Sequence, residues 1–431
     1  MPSSAGSHKA VTARLPGKET GEDNRNELVD LSGFRGLAVM IVMIFHAYQF
    51  CRGGGVTPYD GQLLGKIIGA SDGMVSWFFL ISGFLLYMPI VNWVKTGQGR
   101  RSPREIMIRR GLRILPLYYT ALLVVWATRN PGLPGDWRDL VEHLTFTHVF
   151  DSKRIFYTIG PAWSLAVEVF FYVYLAGVAA WLARKKHRRL PSAHRWRLLC
   201  IPAVVLVAVS AGWAWYAVRV ARALPDQWAY WFSPQNHAKD FGFGMVLAIL
   251  YLWRFRHRPI SARSAVVLRL FAAAIVVLGS MVRGHSGASL EAYYFLNSTG
   301  FALLLAGSVL GPRTSLWRRF FAVRVFVFLG VISYSVYLWH EPILLLVLDR
   351  YGLVSHAPAA FPWVAVVLVV SGILGGMISY VVLERPARRL SILLEKLRHG
   401  PEPAPLGPPT AMPVPLAEGA SGRGRCANRT R

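Results

Sequence analysis

Acidic residues and cysteines are both scarce in this chain. Its 431 residues include 22 Asp and Glu against 48 Lys and Arg, which gives a formal net charge of +26 at pH 7. Only three cysteines occur, Cys51, Cys200 and Cys426, and they form no CxxC pair. We therefore expect neither a structural disulfide nor a zinc site. The motifs GxxxxGK[ST] and HExxH are also missing, so nothing supports a P-loop enzyme or a zinc protease.

Hydrophobic residues, by contrast, make up 54% of the chain, and the mean hydropathy is +0.37. A soluble globular protein does not combine such hydropathy with so high a charge, whereas a membrane protein with basic loops does. The basic residues lie between apolar spans and form no single patch, so we expect no nucleic acid partner. Residues 1–30 are polar and lack an apolar core, so we expect no cleavable signal peptide.

Ten apolar segments predict about ten transmembrane helices in an all-α, polytopic membrane protein. Most are long enough to cross a hydrocarbon core of about 30 Å. They cover approximately residues 31–50, 73–94, 111–128, 163–183, 198–218, 238–253, 264–282, 292–310, 325–348 and 361–383.

The loop charges orient these spans. The N-terminus, the loops after the even-numbered spans and the C-terminal tail, with the span ends beside them, hold 35 Lys and Arg, against 11 in the other loops. The positive-inside rule then predicts that both termini are cytoplasmic and that the long loop 129–162 is extracytoplasmic. Residues 1–27 and the Pro/Gly-rich tail 391–431 are predicted to be mostly disordered, which leaves 28–390 as the membrane domain.

Arg35 and His46 stand eleven positions apart in the first span. Eleven residues make almost three helical turns, so both side chains project from one face, about 16 Å apart along the axis. Polar residues inside a span are costly and usually face a site. Arg35 alone is explained equally well by snorkelling to the headgroups, but two such residues on one stripe favour a function.

More arginines cluster where the third span begins. Arg109, Arg110 and Arg113, together with Arg35, are expected to form a cationic mouth on the cytoplasmic side, suited to a phosphate-rich ligand. Membrane anchoring is the preferred explanation for Arg109 or Arg110 when each is taken alone. Glu384, at the cytoplasmic end of the last span, is a candidate partner for these arginines.

Other polar residues lie deeper in the predicted spans. Glu168 is expected at a depth comparable to that of His46, where a carboxylate would fix the imidazole tautomer and strengthen the base. The competing explanation is a structural tie between helices. In the ninth span Tyr334 and His340 are supporting candidates, although interfacial anchoring is the preferred explanation for His340. Ser82 stands beside a glycine and is better explained by close helix packing than as a nucleophile.

A cationic cytoplasmic mouth below an imidazole and a carboxylate suits two classes of protein. One is a transferase fed from the cytoplasm, and the other is a proton-coupled secondary transporter in which His46 and Glu168 relay protons. Inverted repeats would favour the transporter, and the sequence shows none.

Six segments, in order along the chain, resemble motifs of the acyltransferase 3 family of integral membrane O-acyltransferases. The resemblance covers roughly residues 28–390, with departures at Phe34 and Val169. The segments are LSGFRGLAVMIVMIFH, WFFLISGFLL, RRGLRILPLYY, AWSLAVEVFFY, LGVISYSVYLWHEP and SYVVLERP. The chain resembles a stand-alone member, in which no hydrolase domain follows the last span.

The resemblance implies transfer of an acyl group, commonly acetyl, from acyl-CoA to a hydroxyl of a carbohydrate, glycolipid or secondary metabolite. His46 would be the general base, Arg35 would hold the donor or stabilise charge, and Glu168 would orient His46. Arg110 and Arg113 would bind the donor phosphates. The expected partners are acyl-CoA as a co-substrate, the acceptor and membrane lipid, in the cell membrane, with no bound cofactor or metal.

Overall fold

The computed structural model describes residues 29–99, 102–132, 134–184 and 192–399. Within these ranges the regular structure is helical, and strand-like pairing is limited to one isolated bridge between Gly53 and Val56. The predicted all-α fold class is confirmed. The predicted N-terminal tail, Cys426 and most of the C-terminal tail lie outside the described residues.

Eleven helices of thirteen residues or more organise the described chain. In chain order they are α1 (Val29–Phe50), α2 (Met74–Thr96), α3 (Pro103–Arg129), α4 (Ala162–Leu182), α5 (Ser192–Trp215), α6 (Ala238–Leu250), α7 (Ala262–Val282), α8 (Gly287–Val309), α9 (Arg324–Ile343), α10 (Phe361–Ser379) and α11 (Arg385–His399). Single π-helical turns continue four of them, at Tyr216–Val220, Tyr251–Phe255, Leu344–Asp349 and Tyr380–Glu384.

Eight helical segments of the described chain are long and apolar enough to cross a membrane. They correspond to eight of the ten predicted spans, so the protein is a multi-pass membrane protein. The segments predicted at 238–253 and 292–310 do form helices, α6 and α8, but these are not among the eight. Helix α6 has only 13 residues and carries Lys239 and Asp240 in its first turn, and α8 carries Glu291 and Asn297.

The start of α3 is encoded locally. The Ser102 hydroxyl accepts a hydrogen bond from the backbone N–H of Glu105, and the Glu105 carboxylate accepts one from the backbone N–H of Ser102. This capping box satisfies two backbone donors that a helix end leaves unpaired, and Pro103 has the φ that the first helical position needs. The helix therefore begins at a fixed residue, which sets the positions of Arg109, Arg110 and Arg113 along it.

Helices α1 and α9 pack along each other so closely that glycine is required on both. A Cβ on Gly36 would overlap the Phe326 carbonyl of α9, and one on Gly330 the Ser32 carbonyl of α1, while one on Gly33 would overlap the Phe321 carbonyl just before α9. Small residues allow this approach because helices in lipid associate chiefly through close packing. The faces of α1 and α9 that carry candidate site residues are thereby brought against each other.

A buried ion pair holds the start of α1. Arg318 donates from Nε to Asp30 Oδ2 at 2.9 Å and from Nη2 to Asp30 Oδ1 at 2.8 Å. Both side chains are buried, at 8% and 3% exposed. A bidentate guanidinium–carboxylate contact fixes direction as well as distance. The first turn of α1, just ahead of Arg35, is therefore tied to the segment that precedes α9.

Candidate active site

Arg35 faces a small cavity of about 50 Å³. Glu168 on α4 and Tyr334 on α9 contribute to the same wall. We call this space the arginine cavity; its complete lining is Arg35, Val75, Phe78, Phe79, Ser164, Leu165, Glu168, Ser333, Tyr334 and Tyr337. Residues from α1, α2, α4 and α9 therefore meet here, and three of the predicted site residues are among them.

The charges around Arg35 come from three different helical segments. Arg35 interacts electrostatically with Arg113 on α3, Glu168 on α4, and Glu384 and Arg388 at the α10–α11 junction. A guanidinium inside a membrane protein needs such carboxylates to offset the cost of its burial. The predicted grouping of Arg35, Arg113 and Glu384 is thus present in the structure, with Glu168 added to it.

The partners of Glu168 differ from those expected. Its Oε1 accepts a hydrogen bond from Ser82 Oγ at 2.9 Å, and its Oε2 accepts one from the Tyr172 hydroxyl at 2.7 Å. No hydrogen bond joins it to His46 in the described chain, because Glu168 faces the arginine cavity and His46 faces a different one. The predicted carboxylate–imidazole tie is therefore absent from this geometry.

Ser82 is tied into the same network. Beside it, Gly83 lies so close to α6 that an added Cβ would be 2.5 Å from the Phe241 carbonyl oxygen. The expectation that this Ser–Gly pair permits close helix packing agrees with that contact. The Ser82 hydroxyl donates to Glu168, and Ser82 is not part of the lining around His46.

Glu384 and Tyr334 hold neighbouring helices together. Glu384 accepts from Ser335 Oγ on α9 at 2.8 Å and also from Arg388, four residues further along the chain. The Tyr334 hydroxyl donates to the Ile114 carbonyl on α3 at 2.8 Å. Both residues therefore support the wall of the arginine cavity from behind, in line with the supporting role predicted for them.

His46 faces a much larger cavity, of about 320 Å³. We call it the histidine cavity. Its charged and polar lining comprises His46, Gln49, Arg52, Asp72, Arg283 and Glu341, and its aromatic lining comprises Phe45, Phe156, Trp163, Trp228, Phe232 and Tyr337; Val42, Val75 and Gly160 complete it. Its volume lies within the range of about 300–1,000 Å³ that is typical of small-molecule sites. Its lining, which combines aromatic surface with a few polar groups, is also typical of such sites.

A second imidazole lies beside His46. The ring centroids of His46 and His340 are 4.8 Å apart, and the His340 side chain is fully buried. His340 Nδ1 lies 3.3 Å from the Val336 carbonyl, while its Nε2 is buried without a hydrogen-bond partner in the described chain. Interfacial anchoring, the preferred expectation for His340, does not fit this position.

The two cavities share part of their walls. Val75 and Tyr337 line both of them. The Tyr337 hydroxyl accepts a hydrogen bond from Ser164 Oγ at 2.9 Å and donates to the Pro161 carbonyl at 3.4 Å, so its ring is held in place from α4. Arg35 and His46 therefore line adjoining cavities, and Val75 and Tyr337 form the partition that both cavities share.

Arg109 and Arg110 line a third space, a cleft of about 30 Å³ against Trp93 and Ile106. The electrostatic interactions of Tyr172 include Arg110 and Arg113, so this cleft lies close to the hydrogen-bond network of Glu168. Tyr172 therefore links the predicted arginine cluster electrostatically to Glu168 at the arginine cavity.

An ion pair in the histidine cavity was not predicted from the sequence. Arg283 donates from Nη1 to Asp72 Oδ1 at 2.8 Å and to the Gly69 carbonyl at 2.6 Å. Its guanidinium carbon lies 4.7 Å from the centroid of the Tyr293 ring, and the Tyr293 hydroxyl also bonds to Asp72. Asp72 raises the pKa of Arg283 and so keeps it charged, although burial opposes this.

Other lining residues were missed as well, chiefly Glu341 and the aromatic residues outside the quoted motifs. A signal was available for Arg283, which is the only basic residue between the seventh and eighth predicted spans. The sequence contains no comparable signal for Phe156 or Trp228, since single aromatic residues outside the long helices are common. In the described chain no group of three or more histidine, cysteine or acidic side chains is arranged to hold a metal ion.

Comparison with known proteins identifies relatives across most of the chain. The sequence model of the acyltransferase 3 domain matches residues 28–381. BcsY of Komagataeibacter xylinus, named as a membrane-bound transacylase, is 26% identical over 379 residues, covering 84% of this chain and 83% of its own. The exopolysaccharide production protein ExoZ of Rhizobium meliloti is 29% identical over 328 residues (75% and 90%). The peptidoglycan O-acetyltransferase OatA of Listeria monocytogenes is 22% identical over 398 residues (86% and 57%). No solved structure matches the chain.

Proposed function

Because this chain belongs to the acyltransferase 3 family of membrane-bound acyltransferases, we propose that it transfers an acyl group, preferably acetyl, from acyl-CoA to an acceptor hydroxyl. The acceptor is a carbohydrate, a glycolipid or a secondary metabolite. The observation that carries the proposal is the position of His46, which faces a 320 Å³ cavity walled by aromatic and polar residues. The transporter hypothesis is set aside because family membership indicates acyl transfer.

The chemistry requires one general base. His46 removes the proton of the acceptor hydroxyl as the acceptor oxygen attacks the carbonyl carbon of the thioester. The carbon–sulfur bond then breaks, and the leaving CoA sulfur takes the proton back from His46. An imidazole suits both steps because it accepts and releases protons near neutral pH.

The donor is assigned to the arginine side. Arg110 and Arg113 hold phosphates of CoA, and Arg35 holds the donor close to the partition formed by Val75 and Tyr337. Planar guanidinium groups form two parallel hydrogen bonds to a phosphate, which is why several arginines together favour such a ligand. Their electrostatic link to Glu168 through Tyr172 supports this assignment.

The acceptor is assigned to the histidine cavity. Trp163, Trp228 and Phe232 offer flat apolar surfaces, while Gln49 and Glu341 offer hydrogen-bonding groups. A sugar ring has apolar faces and polar edges, and such a wall is complementary to both. The loop charges support a donor side in the cytoplasm, and the proposed location of the protein is the cell membrane.

The decisive experiment measures release of CoA thiol from acetyl-CoA by the purified full-length protein in lipid nanodiscs, with and without added acceptors. We expect His46→Ala to lose 10²- to 10⁴-fold in turnover, the usual contribution of a general base. His356→Ala is the matched control, because His356 is exposed and bonds to Asp349 and Phe50 away from both cavities. Near-normal turnover in His46→Ala would remove the proposed mechanism, and a wild-type protein that releases no thiol would remove the proposed function.

A further inference from the structure

Glu341 is a carboxylate of the histidine cavity that the proposed reaction does not use. It follows His340 directly in α9, and its side chain lines the same space as His46. Its Oε2 atom is buried and has no hydrogen-bond partner within the described residues. A buried acceptor left without a donor costs free energy, so the carboxyl group of Glu341 is a candidate contact for whatever occupies the cavity.

The carboxylate is also held in one place. It lies directly against Gly160, where an added Cβ would overlap it, and the Gly160 backbone bonds to it as well. Gly160 ends the loop before α4, and its neighbour Pro161 accepts a hydrogen bond from Tyr337. The cation that interacts with Glu341 electrostatically is Arg129, at the end of α3. The absence of a side chain at residue 160 is therefore what allows Glu341 to reach this position.

The surroundings of Glu341 indicate what kind of group it meets. His46 on α1 lines the same cavity as Glu341 on α9. The indole ring of Trp163 and the phenyl ring of Phe232 pack edge to face and add apolar surface to this cavity. A carboxyl oxygen that has no donor near it is a hydrogen-bond acceptor. Its partner in the cavity must therefore be a donor, and in an acceptor of acyl groups that donor is a hydroxyl.

We propose that Glu341 binds the acceptor, with its carboxyl group accepting a hydrogen bond from a second hydroxyl adjacent to the one that His46 deprotonates. This inference rests on the proposed function. It predicts an acceptor with neighbouring hydroxyls, a sugar or another polyol, and rejection of simple alcohols. A site built to bond a hydroxyl discriminates strongly against analogues that lack it, because the buried partner is then left unpaired.

The test uses the full-length protein in nanodiscs with acetyl-CoA. The probes are the methyl gluco-, galacto- and mannopyranosides, each with its monodeoxy analogues, and cyclohexanol as a ring with one hydroxyl. Wild-type protein is expected to release thiol faster with at least one pyranoside and not with cyclohexanol. Glu341→Ala should raise the KM for that pyranoside on the order of 10- to 100-fold, the range for a hydrogen bond to a charged group. The KM for acetyl-CoA should not change, because the lost contact concerns the acceptor alone.

Two further variants separate binding from a general structural role. Gly160→Ala keeps the carboxylate but displaces it, and should raise the acceptor KM in the same direction. Asp349→Asn is the matched control, since Asp349 follows in the π-helical turn after α9 and pairs with the exposed His356. In Glu341→Ala, the parent pyranoside and the deoxy analogue that lacks the contacted hydroxyl should become equivalent, which a folding defect would not produce.

The proposal is overturned if Glu341→Ala keeps both the acceptor KM and the discrimination against the deoxy analogues. It is also overturned if cyclohexanol serves the wild-type protein as well as the pyranosides do, or if none of the pyranosides accelerates thiol release. In each of these cases acetyl-CoA turnover that depends on His46 would leave the proposed function standing. Absence of any turnover would instead count against the proposed function.

Discussion

The arginine cavity and the histidine cavity are built from different kinds of sequence. The arginine cavity is lined entirely by residues of α1, α2, α4 and α9. The histidine cavity takes Arg52, Asp72, Phe156, Gly160 and Arg283 from connecting segments and helix ends. A donor site made of helices offers one fixed shape, whereas loops vary more readily among related chains. The comparison indicates that helix packing sets the shape of the arginine cavity, whereas connecting segments set much of the shape of the histidine cavity.

The largest expected difference comes from removing the central charge of the arginine cavity. Arg35→Ala removes the buried guanidinium that interacts electrostatically with both Glu168 and Glu384. Release of CoA thiol per folded molecule should fall at least 100-fold. Turnover and thermal unfolding are measured on the same preparation, so that the rate can be corrected for the folded fraction.

Arg269→Ala is the control, because Arg269 also lies inside a span but contacts Gly307 and Trp317. Equal losses of thiol release in Arg35→Ala and Arg269→Ala would mean that Arg35 contributes only what any arginine in a span contributes.

The segment between α3 and α4, which contributes Phe156 and Gly160 to the histidine cavity, is expected to be acid-sensitive. In the segment between α3 and α4, His143 and His148 are fully buried, with parallel rings 4.0 Å apart. Burial lowers the pKa of His148 to about 3, and His143 acts in the same direction. In the unfolded chain this pKa is about 6.5. The unfolded state therefore binds the proton first, so the stability contribution is complete above pH 6.5 and is lost as the pH falls towards 3.

Lowering the pH from 7 to 5 should accordingly cost about 2 kcal/mol through this residue. His148→Phe keeps a flat ring against His143 but cannot take the proton, so its melting temperature should fall less over that range than that of the wild type. His356→Phe serves as an exposed control and should follow the wild type. Identical acid losses in wild type and His148→Phe would show that the buried histidine does not set the acid limit.

The donor contacts can be separated from the acceptor contacts kinetically. Arg113→Ala should raise the KM for acetyl-CoA about tenfold, and Arg110→Ala by less, with the acceptor KM and kcat nearly unchanged, because phosphate binding is equal in ground and transition states. Arg104→Ala on the exposed first turn of α3 is the control. An unchanged KM for acetyl-CoA in Arg113→Ala would indicate that the arginine cluster of α3 serves only to anchor the helix at the membrane surface.

The smallest effect is expected at Ser82. Its hydroxyl donates to Glu168, so Ser82→Ala should cost about 1 kcal/mol of stability, the net worth of one hydrogen bond. Turnover should stay within about tenfold of wild type, because transfer is direct. Loss of activity to the level of His46→Ala, or acyl-enzyme detected by mass spectrometry, would favour a covalent intermediate on Ser82.

The fold was largely predictable because apolar periodicity and loop charge are strong signals in membrane proteins. The sequence also grouped Arg35, Arg113 and Glu384, since basic residues at helix ends reveal their depth. Depth alone misled the placement of Glu168, because residues at similar depth on different helices can face different spaces. The lateral arrangement follows from contacts such as those of Gly33 and Gly330, which a single sequence does not identify. For the same reason the pairing of Asp72 with Arg283 could not be predicted.

The glycine contacts between α1 and α9 have a mechanical consequence. Because backbone packs against backbone, the two helices cannot slide or rotate past each other without a collision, so they behave as one rigid unit. Both cavities lie beside this unit, which also carries His46 and His340. A movement of the cavity walls that admits or releases a ligand must therefore come from the other helices, where α2 and α4 contribute Val75 and Ser164.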